Sequence, residues 1–206
     1  MRWFLITLIC TILFGACNGS NQKQSNHPEL TERKIPEGYK RFVPFNNGFE
    51  LFFPEDWRMV EKAKHEYVNF IGPKSQSSFD VKPTINVTMR RGTSRYSNGE
   101  TKYIPFEFEK FCKNYTQALE VKLNGYELIQ LSQDTINGSP IQSVRFNHSD
   151  RKTNARLYEE LVMIGLPYRL YSLRMACLDD ELFRNKEHFE VVKASFLGKA
   201  REDTTF

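Results

Sequence analysis

The residues able to do chemistry come first, because their types and spacing decide which reactions are open to the chain. Its four histidines are His27, His65, His148 and His188. No two stand at His-x-x-x-His spacing, and none pairs with a cysteine at zinc-ligand spacing. No metal site is expected, and each histidine reads as a solvated surface residue. His148-Ser149-Asp150 places the three triad residue types side by side. Triads, however, assemble residues distant in sequence, and Ser and Asp are ordinary turn residues. There is no Gly-x-Ser-x-Gly elbow and no glycine-rich phosphate loop. Glu159-Glu160 offers two carboxylates, but strand neighbours point to opposite faces, so the pair cannot share a site. Asp179-Asp180-Glu181 suits the positive end of a helix and lacks the glycine and closing glutamate of a calcium loop. No catalytic residue is assigned, and no cofactor is expected.

The most suggestive surface is the segment from Arg90 to Tyr103, read as a long turn-rich loop. Arg90, Arg91, Arg95 and Lys102 are interleaved there with Tyr96 and Tyr103. Arg and Tyr are favoured at recognition hot spots, which makes these six the candidate partner-binding residues. A solvated connecting loop accounts for the same composition. Asp134-Thr135-Ile136 resembles an O-glycosylation acceptor of exported bacterial proteins, and a strand end explains it equally.

Elements with a legible period must position these residues. Phe49, Leu51 and Phe53 alternate with Glu50 and Phe52 after the Asn47-Gly48 turn signal, which predicts a strand. Trp57 to Ala63 and Glu66 to Gly72 read as two more. Lys82 to Arg90 alternates most cleanly, with Ile85, Val87 and Met89 on one face. From Pro105 the period changes. Phe108, Phe111, Cys112, Tyr115, Ala118 and Leu119 recur at helical spacing, with Pro105 in the first turn and Gly125 at the exit. Four strands with short connections then imply an antiparallel meander over residues 126–177. A C-terminal helix follows, with Leu182, Phe189, Val192 and Phe196 as its apolar stripe. The sum is one α+β domain in which helices cover an antiparallel sheet.

Composition bounds the partners. The chain has 206 residues, 40% hydrophobic and 14% aromatic, enough for one cored domain. Lys and Arg total 29 against 25 Asp and Glu, a net charge of +4. The signs are interleaved, so the clustered basic face needed for nucleic acid is missing.

The N-terminus sets the expected address. Met1-Arg2 is followed by an uncharged apolar run from Trp3 to Phe14. That is short of the roughly 20 residues a membrane span needs, and has the layout of a secretory signal peptide. Leu13-Phe14-Gly15-Ala16-Cys17 resembles the lipobox of bacterial lipoproteins. That resemblance implies cleavage after residue 16, lipidation of Cys17 and, with Asn18 following, retention at the outer membrane. Ordinary signal cleavage, with Cys17 a bystander, remains the alternative. Residues 17–38 read as the lipidated cysteine and a flexible polar tether. The folded domain is expected over 39–198, with 199–206 as a tail. An exported compartment permits a disulfide, so Cys112 and Cys177 are either two buried thiols or a pair.

The order of elements, with Gly48, Phe49, Pro54, Trp57, Gly138, Ser195 and Phe196 as markers, resembles the PsbP-like superfamily, which includes the DcrB-like bacterial envelope lipoproteins. The likeness spans about residues 42–197. It implies a three-layer α/β/α sandwich with a mainly antiparallel sheet and two main covering helices. It also implies a non-enzymatic assembly or partner-binding role. The expectation is a lipid-anchored envelope protein, in contact with the membrane through Cys17 and with an envelope protein through its domain. Two alternatives stay open: an immunity-type lipoprotein that neutralises a periplasmic toxin, and an enzyme with an unrecognised site.

Overall fold

Strict alternation of branched apolar and polar residues builds the centre of the molecule. In β5 (Thr84–Arg91), Ile85, Val87 and Met89 are buried while Thr84, Asn86 and Thr88 are half-exposed. A strand's side chains point alternately to its two faces, so this pattern sends the apolar set to one side of a sheet. The computed structural model describes residues 33–199 apart from 45–47, 63–66, 75–76, 93, 98–99, 105 and 137–138. The expected signal peptide, Cys17 and most of the tether lie outside the described residues, as do His27, His65 and residues 200–206. The chain divides into two compact units, Met1–Lys34 and Ile35–Phe206, and every element below belongs to the second.

The strands are β1 (Tyr39–Phe42), β2 (Phe49–Pro54), β3 (Arg58–Lys62), β4 (Tyr67–Ile71), β5, β6 (Ser94–Ser97) and β7 (Glu100–Tyr103). After α1 (Phe108–Lys122) come β8 (Asn124–Ile136), β9 (Ser139–Ser149), β10 (Arg156–Leu166) and β11 (Arg169–Leu178). A 3-10 turn over Asp179–Glu181 leads into α2 (Leu182–Ser195), and β12 (Leu197–Gly198) follows. Seven strands form one sheet in the order β3-β4-β5-β11-β10-β9-β8. Every pairing in it is antiparallel. A smaller sheet, β1-β2-β12, is also antiparallel.

The two faces of the large sheet carry different cores. On one, β2 and α2 supply Phe49, Leu51, Phe53, Phe189 and Val192, which pack against Val68, Phe70, Val87, Tyr158, Leu173 and Met175. On the other, Cys112 and Leu119 of α1 pack on Val144 and Phe146 of β9 and on Leu161 and Met163 of β10. Helix, sheet and helix therefore stack as an α+β sandwich, the fold class read from the sequence. Cys112 belongs to the second core and Cys177 to the first, and both are free thiols.

Some expectations need correction. The segment after Arg91 is not an irregular loop: β6 and β7 pair with Arg95 opposite Lys102 and Tyr96 opposite Thr101. Its polar composition hid a ladder whose backbone groups satisfy each other. The sequence signal was Asn98-Gly99, a dipeptide favoured in two-residue hairpin turns. Helix α1 starts at Phe108, later than Pro105 suggested, and its chain turns extended at Leu123. Gly125, at φ +62°, then takes a left-handed conformation that suits glycine. Asp179–Glu181 forms a 3-10 turn ahead of α2 rather than its first α-helical turn.

Candidate functional site

Cross-strand rows on the α1 face show where a site can form. One row reads Asn69, Asn86, Arg174, Leu161, Val144, Leu131 from β4 to β8. The next reads Tyr67, Thr88, Ser172, Met163, Gln142, Gln133. Each row is polar on β4, β5 and β11 and apolar at β10; the first stays apolar through β9 and β8, while the second returns to Gln142 and Gln133. Helix α1 takes the apolar part, because only there can Cys112 and Leu119 be buried without stranding polar groups. The polar part stays half-exposed, and two pairs in it bond across strands: Tyr67 Oη donates to Asn86 Oδ1 at 2.5 Å, and the Thr88 and Ser172 hydroxyls bond, while Asn69 Oδ1 is buried without a partner among the described residues.

Where the two parts meet, a cleft of about 480 Å³ runs along α1. Phe111, Tyr115, Ala118, Leu119 and Leu123 form its apolar wall, with Asn114 beside them, and Arg90, Arg174 and Lys122 supply cations. The Phe111 and Tyr115 rings stack, with centroids 5.8 Å apart. The Arg90 guanidinium lies 5.4 Å from the Phe111 ring centroid.

Behind the cleft, Arg174 meets buried Glu159 through Nε, at 2.5 Å, and through Nη2. The other Glu159 oxygen lies 2.8 Å from His148 Nε2. The His148 Nδ1 faces the Ser149 carbonyl at 3.3 Å. Both neighbours of this ring are acceptors, so its hydrogen bonds are complete only when both nitrogens carry protons. In agreement, the hydrogen bond to Glu159 raises the His148 pKa above its ordinary value. His148 is therefore a buried strut whose surroundings favour its protonated form, rather than a solvated residue. Sequence reading missed it because Glu159 lies eleven residues away and arrives only through the β9–β10 register.

The opposite face carries a second cluster. Buried Glu160 takes Lys193 Nζ of α2 at 2.8 Å and Arg145 Nε of β9 at 3.2 Å. The Tyr158 hydroxyl lies at 3.5 Å, and burial raises its pKa strongly. Glu50, buried on β2, is held by Arg41 at 2.7 Å.

The remaining sequence candidates separate. Asp150 does not join His148: its Oδ1 accepts from Lys152 N, Thr153 N and Thr153 Oγ1 and so closes the β9–β10 turn. These bonds, that from the Thr153 amide foremost, lower its pKa. His188 is not a free surface group either. Its Nδ1 bonds Tyr39 Oη at 2.8 Å, and its ring packs edge-on to Trp57. Arg90 and Arg91 end β5 and are exposed. Arg95, Tyr96, Lys102 and Tyr103 fall on the β6–β7 hairpin, and their side chains lie outside the described residues. Among the described residues, no group of three His, Cys, Asp or Glu could hold a metal, and no helix is long and apolar enough to cross a membrane.

These features define an α+β sandwich whose buried acids are each neutralised and whose one face carries a cationic, apolar-walled cleft. The PsbP family model matches residues 37–197, and the chain belongs to that family. Solved structures share the fold at low identity. Cyanobacterial PsbP (CyanoP) from Synechocystis is 15% identical, over 90% of this chain and 99% of that one, with a TM-score of 0.53. LpqN of Mycobacterium tuberculosis, described as involved in cell envelope biogenesis, is 16% identical over 77% and 88%, with a TM-score of 0.56. A Pseudomonas aeruginosa protein of unknown function is 12% identical over 79% and 99%, at 0.53. No curated protein matches the sequence.

Proposed function

We propose that this PsbP-family chain is a non-enzymatic cell-envelope protein, lipidated at Cys17 and held at the outer membrane, that acts by binding a protein partner. The observation that carries the binding role is β8. It is the terminal strand of the large sheet and thirteen residues long. Leu128, Ile129 and Leu131 on it are 48%, 51% and 50% exposed. A long edge with exposed apolar side chains invites another chain to pair with it, and folds usually blunt such edges. Register puts Leu128 and Leu131 on the α1 face, in line with Phe146 and Val144, while Ile129 falls at a bulge.

The buried acids support binding over catalysis. Glu50, Glu159 and Glu160 each hold a cation within the fold, so none is left as a proton carrier for a substrate. LpqN, which shares the fold, works in envelope biogenesis, in keeping with the lipobox-like segment at Leu13–Cys17. The hairpin residues Arg95, Tyr96, Lys102 and Tyr103, with Arg91, are proposed as a second contact.

Crosslinking with mass spectrometry in the native host tests the proposal. One envelope protein should crosslink to β8, the Leu128→Lys, Leu131→Lys double variant should lose it, and Cys17→Ser should shift the chain from the membrane to the soluble fraction. Catalytic turnover, or a crosslink pattern unchanged by the β8 substitutions, would overturn it.

A further inference from the structure

The cleft beside α1 plays no part in that proposal, and its chemistry points to a small ligand. One wall is flat and apolar, built from the stacked Phe111 and Tyr115 with Ala118, Leu119 and Leu123. Three cations, Arg90, Lys122 and Arg174, share the lining, and no carboxylate does. Among the described residues, neither Arg90 nor Lys122 has a carboxylate partner. Arg174 spends Nε and Nη2 on Glu159. A guanidinium carries five N–H donors, so Nη1 keeps both of its own for the cleft. The Arg174–Glu159 contact adds no net negative charge at this point, because one arginine offsets one glutamate.

Arg90 and Lys122 are like charges without a counter-ion at one cavity, and their repulsion is strongest where apolar walls exclude water. An anion relieves it. The planar Arg174 fork matches a carboxylate geometrically, while the aromatic wall takes an apolar body. The volume, about 480 Å³, falls in the roughly 300–1,000 Å³ range of small-molecule sites. We infer that this cleft binds an amphipathic carboxylate, its head between Arg174, Arg90 and Lys122 and its apolar part along Phe111, Tyr115 and Leu119. This inference goes beyond the partner-binding proposal and does not rest on it.

Calorimetric titration of the full chain with sodium decanoate, below its micelle concentration, tests the inference. Binding should be one to one, and decanol, with the same chain and no charge, should bind at least about tenfold more weakly, as expected when a charged hydrogen bond is lost. Arg90→Gln and Lys122→Gln change exposed side chains, so the fold should persist, checked by unchanged melting. Each should weaken decanoate and leave decanol alone. Ala118→Trp, which fills the cleft, should abolish both. Anionic phospholipid vesicles form a separate arm. Binding to vesicles without binding to free decanoate would overturn the inference, as would equal affinity for decanol or indifference to the charge substitutions.

Discussion

Glu159 and Glu160 are neighbours in the chain, yet each is buried on its own face of β10 with its own cations: His148 and Arg174 for the first, Arg145 and Lys193 for the second. The pleat separates them, and the sheet between them lets two like charges sit one residue apart. The Glu160 cluster ties α2 to the sheet through Lys193, and the Glu159 cluster backs the cleft.

Glu160→Gln should therefore be costly. It leaves Arg145 and Lys193 facing a neutral amide in a largely dry site, and breaking such a pair typically costs about 3 kcal/mol. Urea unfolding should show the midpoint falling with an unchanged slope. An exposed ion pair such as Glu107–Lys110, 2.8 Å apart, should cost almost nothing to remove.

Stability should depend on pH through His148. Its pKa is raised in the fold, chiefly by the hydrogen bond to Glu159. A group raised on folding contributes in full below its unfolded value, near about 6.5, and the contribution is lost as pH rises through the folded value. Unfolding midpoints measured across that interval should fall with pH. His148→Gln should flatten this part of the profile while leaving the acid limb, to which the lowered Asp150 contributes.

Cys112 and Cys177 should stay unreactive in the native protein. Burial pushes their pKa values up to about 11 and about 12, and the thiolate is the reactive form. In a chain carrying Cys10→Ser and Cys17→Ser, a chromogenic thiol reagent should titrate nothing until denaturant is added, and then both. Native reactivity, or an intact mass lower by two hydrogens, would contradict the separate cores.

Gly165→Ala should loosen the start of α1. A Cβ there would lie 2.7 Å from Phe108 Cδ2 and 3.2 Å from Pro140 Cγ. Overpacking of this kind costs about 1–3 kcal/mol. Combining it with Phe108→Leu should cost less than the two changes summed, since they share one contact. Thermal melts of the three variants decide this.

Most of the framework could be read from residue periods. The three-to-four spacing of Phe108, Phe111, Cys112, Tyr115 and Leu119 marked α1, and the alternation of Ile85, Val87 and Met89 marked β5, because burial of one face leaves a local trace. The family resemblance was legible too, from the order of strands and helices, and residues 37–197 match it. The charge clusters left no such trace. His148 meets Glu159 across the β9–β10 register, and Glu159 meets Arg174 across β10 and β11. The candidate recognition segment was half legible: its composition stood out, but its pairing into a hairpin did not.

The sequence by itself determined the alternation that makes a two-faced sheet, the helical stripe that covers part of it, and the separation of Glu159 from Glu160. These follow from the pleat and the helical turn, which act within a few residues. Only the tertiary structure decided that Arg90, Lys122 and Arg174 gather around one cleft and that His148 is buried against Glu159. Strand order and register bring those groups together from β5, α1, β9 and β11, and no local period records distances set by the whole fold.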